Sequence, residues 1–283
     1  YTYTADQDAA DALDNGDTAT DVFTYTVSDG TNTTTATITI TVTGINDAPV
    51  AQDDKGVISE DGTLTVANSA NANVTDSYDA TGEHSGDVID TSSSTHTDSD
   101  ADDSATLTVT AVRLGSTEDA GSAGTVGQAL TGTYGQLTLN ANGSYTYVAN
   151  QAAAEALDAG ESAFDYFNYT VQDDGGDTDT GRIDIKILGI NDAPVGRNDE
   201  GVIAEGSTLT VANSANANET NDSGTTYNAS GEHTGDVLDT SLATSEDTDV
   251  DTNDTLTVSA IRTGRESAAA ATFVDSISVQ GNI

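Results

Sequence analysis

"FNYTVQDDGGDTDTGRIDIKILGINDAP", residues 167–194, decides the fold class. Phe167, Tyr169 and Val171 share one face of its first segment, and Ile183, Ile185 and Ile187 share one face of its second. A period of two carried by β-branched and aromatic residues marks half-buried strands. The stretch between them, "QDDGGDTD" (172–179), has turn composition. Working outward, Leu107, Val109 and Ala111, then Leu137 and Leu139, then Tyr145 and Tyr147 mark three more strands. "KGVIS" (55–59), "TLTVA" (63–67) and "GDVID" (86–90) add another three. Roughly eight short strands separated by Gly, Asn and Asp turns describe an all-β sandwich. The exception is "NQAAAEALDAG" (150–160), whose Ala-rich composition predicts a short helix closed by Gly160, a connector between sheets. Residues 67–85 carry no clear periodicity and read as a long loop or irregular hairpin.

The deciding stretch is written twice. Residues 23–49, "FTYTVSDGTNTTTATITITVTGINDAP", repeat its alternation with Phe23, Tyr25 and Val27, then Ala36, Ile38, Ile40 and Val42. Residues 1–30 return at 145–174, an offset of 144, and "LTVANSANAN" (64–73) returns at 209–218, an offset of 145. "GEHSGDVIDTS" (82–92) returns as "GEHTGDVLDTS" (231–241), and "TLTVTAVR" (106–113) as "TLTVSAIR" (255–262), both at 149. The unit is therefore domain-sized, and the chain is a tandem array. Residues 1–45 read as the C-terminal part of one repeat, 46–190 as a complete repeat and 191–283 as the N-terminal part of the next. The chain reads as excised from a longer array, in which the head of one copy continues structurally into the tail of another.

Composition narrows the function classes. Seven basic residues against 48 acidic ones give a formal charge of −41. That balance speaks against nucleic acid and anionic membrane as partners, and self-repulsion on this scale points to bound cations or high salt. The absence of cysteine excludes disulfides and thiolate metal sites, leaving the core and oxygen-ligated ions to hold the fold. No apolar run is long enough to insert into a membrane, and the first residues are mid-strand sequence rather than a signal peptide, so any secretion signal lies outside this stretch.

The segments "LTVTAVR", "YGQLTLNANGSYTYVANQAAAEALDAGESAFDYFNYTVQDD" and "GINDAPV" together resemble the VCBS repeat family, tandem domains of very large secreted bacterial proteins. The resemblance covers essentially the whole chain, and the chain is more distantly similar to bacterial cadherin-like domains. It implies tandem immunoglobulin-like or cadherin-like β-sandwich domains joined by short proline-bearing linkers, in extracellular adhesins and biofilm-matrix proteins that often require calcium. The 67–85 insertion departs from the family pattern.

Calcium takes six to eight oxygen ligands, so several acidic clusters must converge. On a cadherin-like course, Asp98, Asp100 and Asp102 in "TDSDADDS" lie at the top pole with Asp173 of the 172–179 loop and the incoming linker residues Asn46 and Asp47. Glu60, Asp158 and Glu161 lie at the bottom pole with the outgoing linker residues Asn191 and Asp192. Asp247, Asp249 and Asp251 repeat the top cluster one copy later, and Glu205 repeats Glu60. The predicted metal sites therefore sit at the joints between repeats. Pro49 and Pro194 fix their own φ and hold Ala48 and Ala193 extended, which makes each linker short and stiff. "DSDADDS" lacks the glycine and terminal glutamate of an EF-hand loop, so the ligands must come from separate segments. Solvated acidic turns are the plain alternative for the same residues.

No catalytic constellation emerges. His84 and His233 recur beside Glu83 and Glu232, which is too few ligands for a catalytic zinc, and each reads as a loop histidine bonded to a turn. His96 has no counterpart in the next copy, and no GxSxG elbow occurs. The leading expectation is a non-catalytic, calcium-rigidified stalk or fibre segment whose partners are neighbouring repeats of the same or identical chains. A module binding cell-surface or matrix glycans, through the 67–85 loop, and a spacer in a larger secreted enzyme are the alternatives. Most of the ten tyrosines are expected at core-facing strand positions, which leaves few for stacking on sugars.

Overall fold

A computed structural model describes residues 1–74, 77–89, 96–102, 104–212, 217, 230–234, 237–238, 246–259 and 261. The chain separates into two compact units, Tyr1–Ile190 and Asn191–Ile283.

The first unit holds every regular element found among the described residues. In chain order these are α1 (Asp8–Asp11), β1 (Thr18–Ser28), β2 (Thr33–Thr43), β3 (Asp54–Ser59), β4 (Thr63–Val66), β5 (Thr108–Leu114), β6 (Ser122–Ala123), β7 (Ala129–Thr131), β8 (Gln136–Leu139), β9 (Tyr145–Val148), α2 (Ala152–Glu155), β10 (Ser162–Gln172) and β11 (Thr178–Leu188). Strands β3-β11-β10-β5-β6 form one sheet, β4-β9-β8-β7 a second, and β1-β2 a separate hairpin. The organising piece is the β10–β11 hairpin, paired in register from Ser162↔Leu188 to Gln172↔Thr178. Strand β3 joins β11 in parallel, and β5 joins β10 antiparallel.

The two sheets close as a sandwich over a single core. Phe167, Tyr169, Val171, Ile183, Ile185 and Ile187 from one sheet meet Leu64, Val66, Leu137, Leu139, Tyr145 and Tyr147 from the other. Tyr147 and Phe167 make an edge-to-face ring contact between the layers, with ring centroids 6.2 Å apart. Three tyrosines, Tyr145, Tyr147 and Tyr169, are buried, while Tyr1 and Tyr25 are exposed, so fewer reach the core than alternation predicts.

Other departures from the sequence reading have local causes. Residues 86–89 of "GDVID" form no strand although Val88 is buried, and Asp90 lies outside the described residues. Asp87 instead accepts the Ser69 and Ile89 N–H groups, a local bonding pattern that competes with a ladder. The predicted helix over 150–160 is one turn, and Gly160 lies beyond it in a separate turn at φ +92°. In β5 the inward positions are Val109 and Val112 rather than Ala111, because the register against β10 shifts between Thr170 and Val171 and a bulge resets the alternation. The β1–β2 hairpin is the copy of β10–β11, yet Phe23 and Val27 are 47% and 49% exposed where Phe167 and Val171 are fully buried.

In the second unit, the Val195↔Thr248 and Gly201↔His233 bridges reproduce Val50↔Ser99 and Gly56↔His84 of the first. Among the described residues, no helix is long and apolar enough to cross a membrane.

Candidate metal centre

The incoming linker of the complete repeat is held by acids from two loops. The backbone N–H of Asp47 donates to Asp102 Oδ2 at 3.0 Å, and Asn46 Nδ2 donates to Asp173 Oδ2 at 3.1 Å and to Asp177 Oδ2 at 2.8 Å. Asp173 Oδ1 meanwhile closes its own loop by accepting Gly176 N and Asp177 N. Asp102 N donates to Asp100 Oδ1 at 3.0 Å, which bends the chain so that these two carboxylates stay near the linker. Gly175 is required here, since a Cβ would come within 1.6 Å of Asn46 Oδ1.

This cluster carries more acceptors than donors. Asp102 is 9% exposed, and both Asp102 Oδ1 and Asp100 Oδ2 are buried with no hydrogen-bond partner. None of Asp47, Asp100, Asp102, Asp173 and Asp177 has an ion pair among the described residues. Burial raises the Asp100 carboxyl above the ordinary range, and the charges of Asp102 and Asp173 push it the same way. The charges of Asp100, Asp102 and Asp173 repel one another and favour a nearby cation, although among the described residues no three carboxylates of this cluster bring their oxygens within 4.8 Å of one another.

Residues from the preceding repeat approach the same place. Asp14 Oδ1 accepts the N–H of Ser104, two positions after Asp102, at 3.2 Å. Asp14 and Asp17 are the counterparts of Asp158 and Glu161 at the 144-residue offset. Asp177 belongs to the 172–179 loop already weighed with Asp173, whereas Asp14 and Asp17 are not among the expected ligands; the offset that pairs them with Asp158 and Glu161 is the signal available for them.

The lower pole gathers Glu60, Asp158 and Glu161. Glu60 is buried at the β3–β4 crossing, where its Oε1 accepts Ile190 N at 2.6 Å and its own N–H donates to Leu188 O. Glu161 N donates to Asp158 O, Asp158 N donates to Glu161 Oε2, and Gly189 N donates to Glu161 O. Gly189 packs so closely on this turn that a Cβ would meet Asp158 O at 2.3 Å, and Gly44 stands identically over Asp14 O. Glu205, the counterpart of Glu60, is exposed.

The second unit rebuilds the linker geometry from its own residues. Asp192 N donates to Asp251 Oδ2 at 2.8 Å, Asp251 N donates to Asp249 Oδ1 at 3.1 Å, and Asn191 Nδ2 donates to Asp192 O. Carboxylate oxygens of Asp249, Asp251 and Asp254 lie within 4.8 Å of one another, and the buried Asp251 Oδ1 lacks a partner. Asp254 was not among the predicted ligands; Ala105 occupies its place in the first copy.

Asp98 is set apart from Asp100 and Asp102, against the expectation that all three face the joint. The Val50↔Ser99 bridge pins the backbone between them, and Asp98 turns into the sandwich to accept Gln52 N at 2.7 Å. There it faces the Tyr169 hydroxyl and buried Asp54. Burial, first of all, raises the Asp98 carboxyl to about 7 and places Asp54 well above its ordinary range. Asp247 repeats the inward contact by accepting Arg197 N at 2.6 Å.

No protein-family model matches the chain, and no curated protein sequence does. Among solved structures, the protocadherin gammaB7 EC3-6 cis-dimer matches at 13% identity with a TM-score of 0.31. The match covers 71% of this chain and 40% of that one, so this chain spans about two fifths of the matched structure.

Proposed function

We propose that this chain is a non-catalytic segment of an extracellular stalk or fibre, in which calcium bound at each linker fixes one β-sandwich repeat against the next. On this reading the repeats are those of a VCBS-like adhesin or matrix protein, and their partners are neighbouring repeats. The observation that carries it is Asp102: one carboxylate oxygen holds the linker through Asp47 N, and the other is buried with no donor, as is Asp100 Oδ2. Asp251 repeats that arrangement on Asp192. An oxygen-only, carboxylate-rich donor set suits calcium better than a softer metal. Asn46, Asp47, Asp100, Asp102 and Asp173, with Asp14 from the preceding repeat, supply the donors at one linker. Asn191, Asp192, Asp249 and Asp251 supply them at the next, and Glu60, Asp158 and Glu161 are the contributions of a lower pole.

The absence of cysteine makes the test direct. Labels at Thr31→Cys, in the exposed β1–β2 turn, and Ser116→Cys report the distance between residues 1–45 and the complete repeat. Calcium narrows that distance distribution, and a chelator broadens it and lowers the melting temperature. If neither quantity responds to calcium, the linker reading is wrong.

A further inference from the structure

We propose that Asp54 and Asp98, with the carbonyl oxygens of Gln52 and Val88 and the hydroxyl of Tyr169, form a second calcium site inside the sandwich, separate from the linker. The argument is a count of donors. Tyr169 Oη lies 3.0 Å from Gln52 O, and 3.1 Å from each of Asp54 Oδ2, Val88 O, Asp98 Oδ1 and Asp98 Oδ2. Five acceptors thus surround one hydroxyl, which carries one proton. Asp54 Oδ1 is served by Ser85 Oγ at 2.9 Å, and Asp98 Oδ1 by Gln52 N at 2.7 Å. Asp54 Oδ2 and Asp98 Oδ2 share only the tyrosine, so at least one of them has no donor at all.

Both side chains are too deeply buried for water to make up the difference. Asp54 is 0% and Asp98 2% exposed, and Tyr169 is 1% exposed. Neither carboxylate has an ion pair among the described residues, and Asp87 and Asp179 add negative charge around them. Two ionised carboxylates cannot persist in such an interior without a counter-charge. A cation resolves the same conflict while using every orphaned oxygen. The donors are carboxylate, carbonyl and phenol oxygens in an irregular cage with no nitrogen or sulfur, which favours calcium over magnesium or zinc.

The scaffold recurs one repeat later. Thr234 Oγ1 donates to Asp199 Oδ1 at 2.9 Å as Ser85 does to Asp54, and Arg197 N donates to Asp247 Oδ1 as Gln52 N does to Asp98. A Ser-to-Thr exchange that keeps the hydroxyl, and a backbone donor indifferent to the Gln-to-Arg exchange, preserve both contacts. The core site rests on residues other than those at the linker, so either can fail without the other.

The chain contains no tryptophan, so its tyrosines are the sensitisers of terbium luminescence. The experiment titrates the chelator-stripped chain with trivalent terbium, then displaces it with calcium. Tyrosine-sensitised emission appears, is displaced by calcium, and in Asp54→Asn falls with an affinity at least about tenfold weaker. Asp102→Asn, which alters the linker, leaves that emission in place. Absence of sensitised emission from the wild type, or emission unchanged in a folded Asp54→Asn, overturns the proposal.

Discussion

Replacing Asp102 with Asn separates the two roles of its carboxylate, and calcium decides the sign of the result. The Asn side-chain oxygen still accepts Asp47 N, now at 3.0 Å from Asp102 Oδ2. Its amide nitrogen takes the place of Oδ1, which is buried with no donor, and the charge that pushes on Asp100 is gone. Without calcium, the exchange removes a repulsion and an orphaned buried acceptor, a gain of about 1 kcal/mol. With calcium, it removes a charged ligand. A wild-type site held at a hundred times its Kd stabilises the fold by about 2.7 kcal/mol. If the substitution weakens binding about a hundredfold, the same calcium concentration yields only about 0.4 kcal/mol. For a unit of this size each kcal/mol shifts the melting temperature by about 2–4 °C. Calcium therefore raises the wild-type midpoint by about 5–11 °C and the variant's by about 1–2 °C. In chelator, Asp102→Asn melts about 2–4 °C above wild type. Differential scanning calorimetry of both proteins, with calcium and with chelator, reads all four midpoints. A variant that melts lower than wild type in chelator, or that keeps the full calcium increment, refutes the account of Asp102 as a ligand.

Three further outcomes follow from other parts of the molecule. Asp165 is buried and accepts Thr133 N, Tyr134 N, Gly135 N and the Tyr147 hydroxyl at 2.7–3.1 Å, so Asp165→Ala orphans four donors; urea denaturation will show a loss of about 3 kcal/mol or more, and a loss below about 1 kcal/mol contradicts that role. In chelator, stability falls as pH rises from about 4 to about 7, because burial lifts Asp98 from 3.8 to about 7 and the folded state then binds more protons than the unfolded; urea midpoints that rise over that window refute it, and saturating calcium flattens the dependence. The exposed face of β1–β2 is the copy of a face that the complete repeat covers with its own strands, so a second copy of the chain offering residues 191–261 is its natural cover; sedimentation will show concentration-dependent association that Phe23→Asp with Val27→Asp abolishes, and identical sedimentation of the two proteins excludes it.

What could be read from the sequence divides along the range of the interactions involved. The β10–β11 hairpin is local: its alternation, its turn and its register all lie within residues 162–188, and the structure pairs them as the pattern predicts. The errors arise where something distant or competing intervenes. Asp87 diverts residues 86–89 from a strand by bonding its own neighbourhood. A four-residue α2, with no side-chain cap from Gln151, is too short for Ala propensity to extend it to Gly160. Alternate spacing put Asp98 on the same face as Asp100 and Asp102, but a bridge to Val50 and a bend stabilised by Asp100 break the extended geometry that spacing assumes. Tyr169 lies 71 residues from Asp98 and 115 from Asp54, so no local pattern could have joined them. The linker cluster is equally long-range, with 55 residues between Asp47 and Asp102, yet it was legible. The reason is repetition: Asp47, Asp100 and Asp102 recur as Asp192, Asp249 and Asp251, and the structure forms the Asp47–Asp102 and Asp102–Asp100 bonds again as Asp192–Asp251 and Asp251–Asp249. The same criterion favours the inward pair, since the contacts of Asp54 and Asp98 also recur at Asp199 and Asp247 even though the sequence reading assigned Asp98 elsewhere. Both carboxylate clusters recur in part in the next copy, the linker one with oxygens that no donor reaches and the inward one with two carboxylates sharing a single tyrosine proton, and each is an acceptor surplus that a cation would relieve.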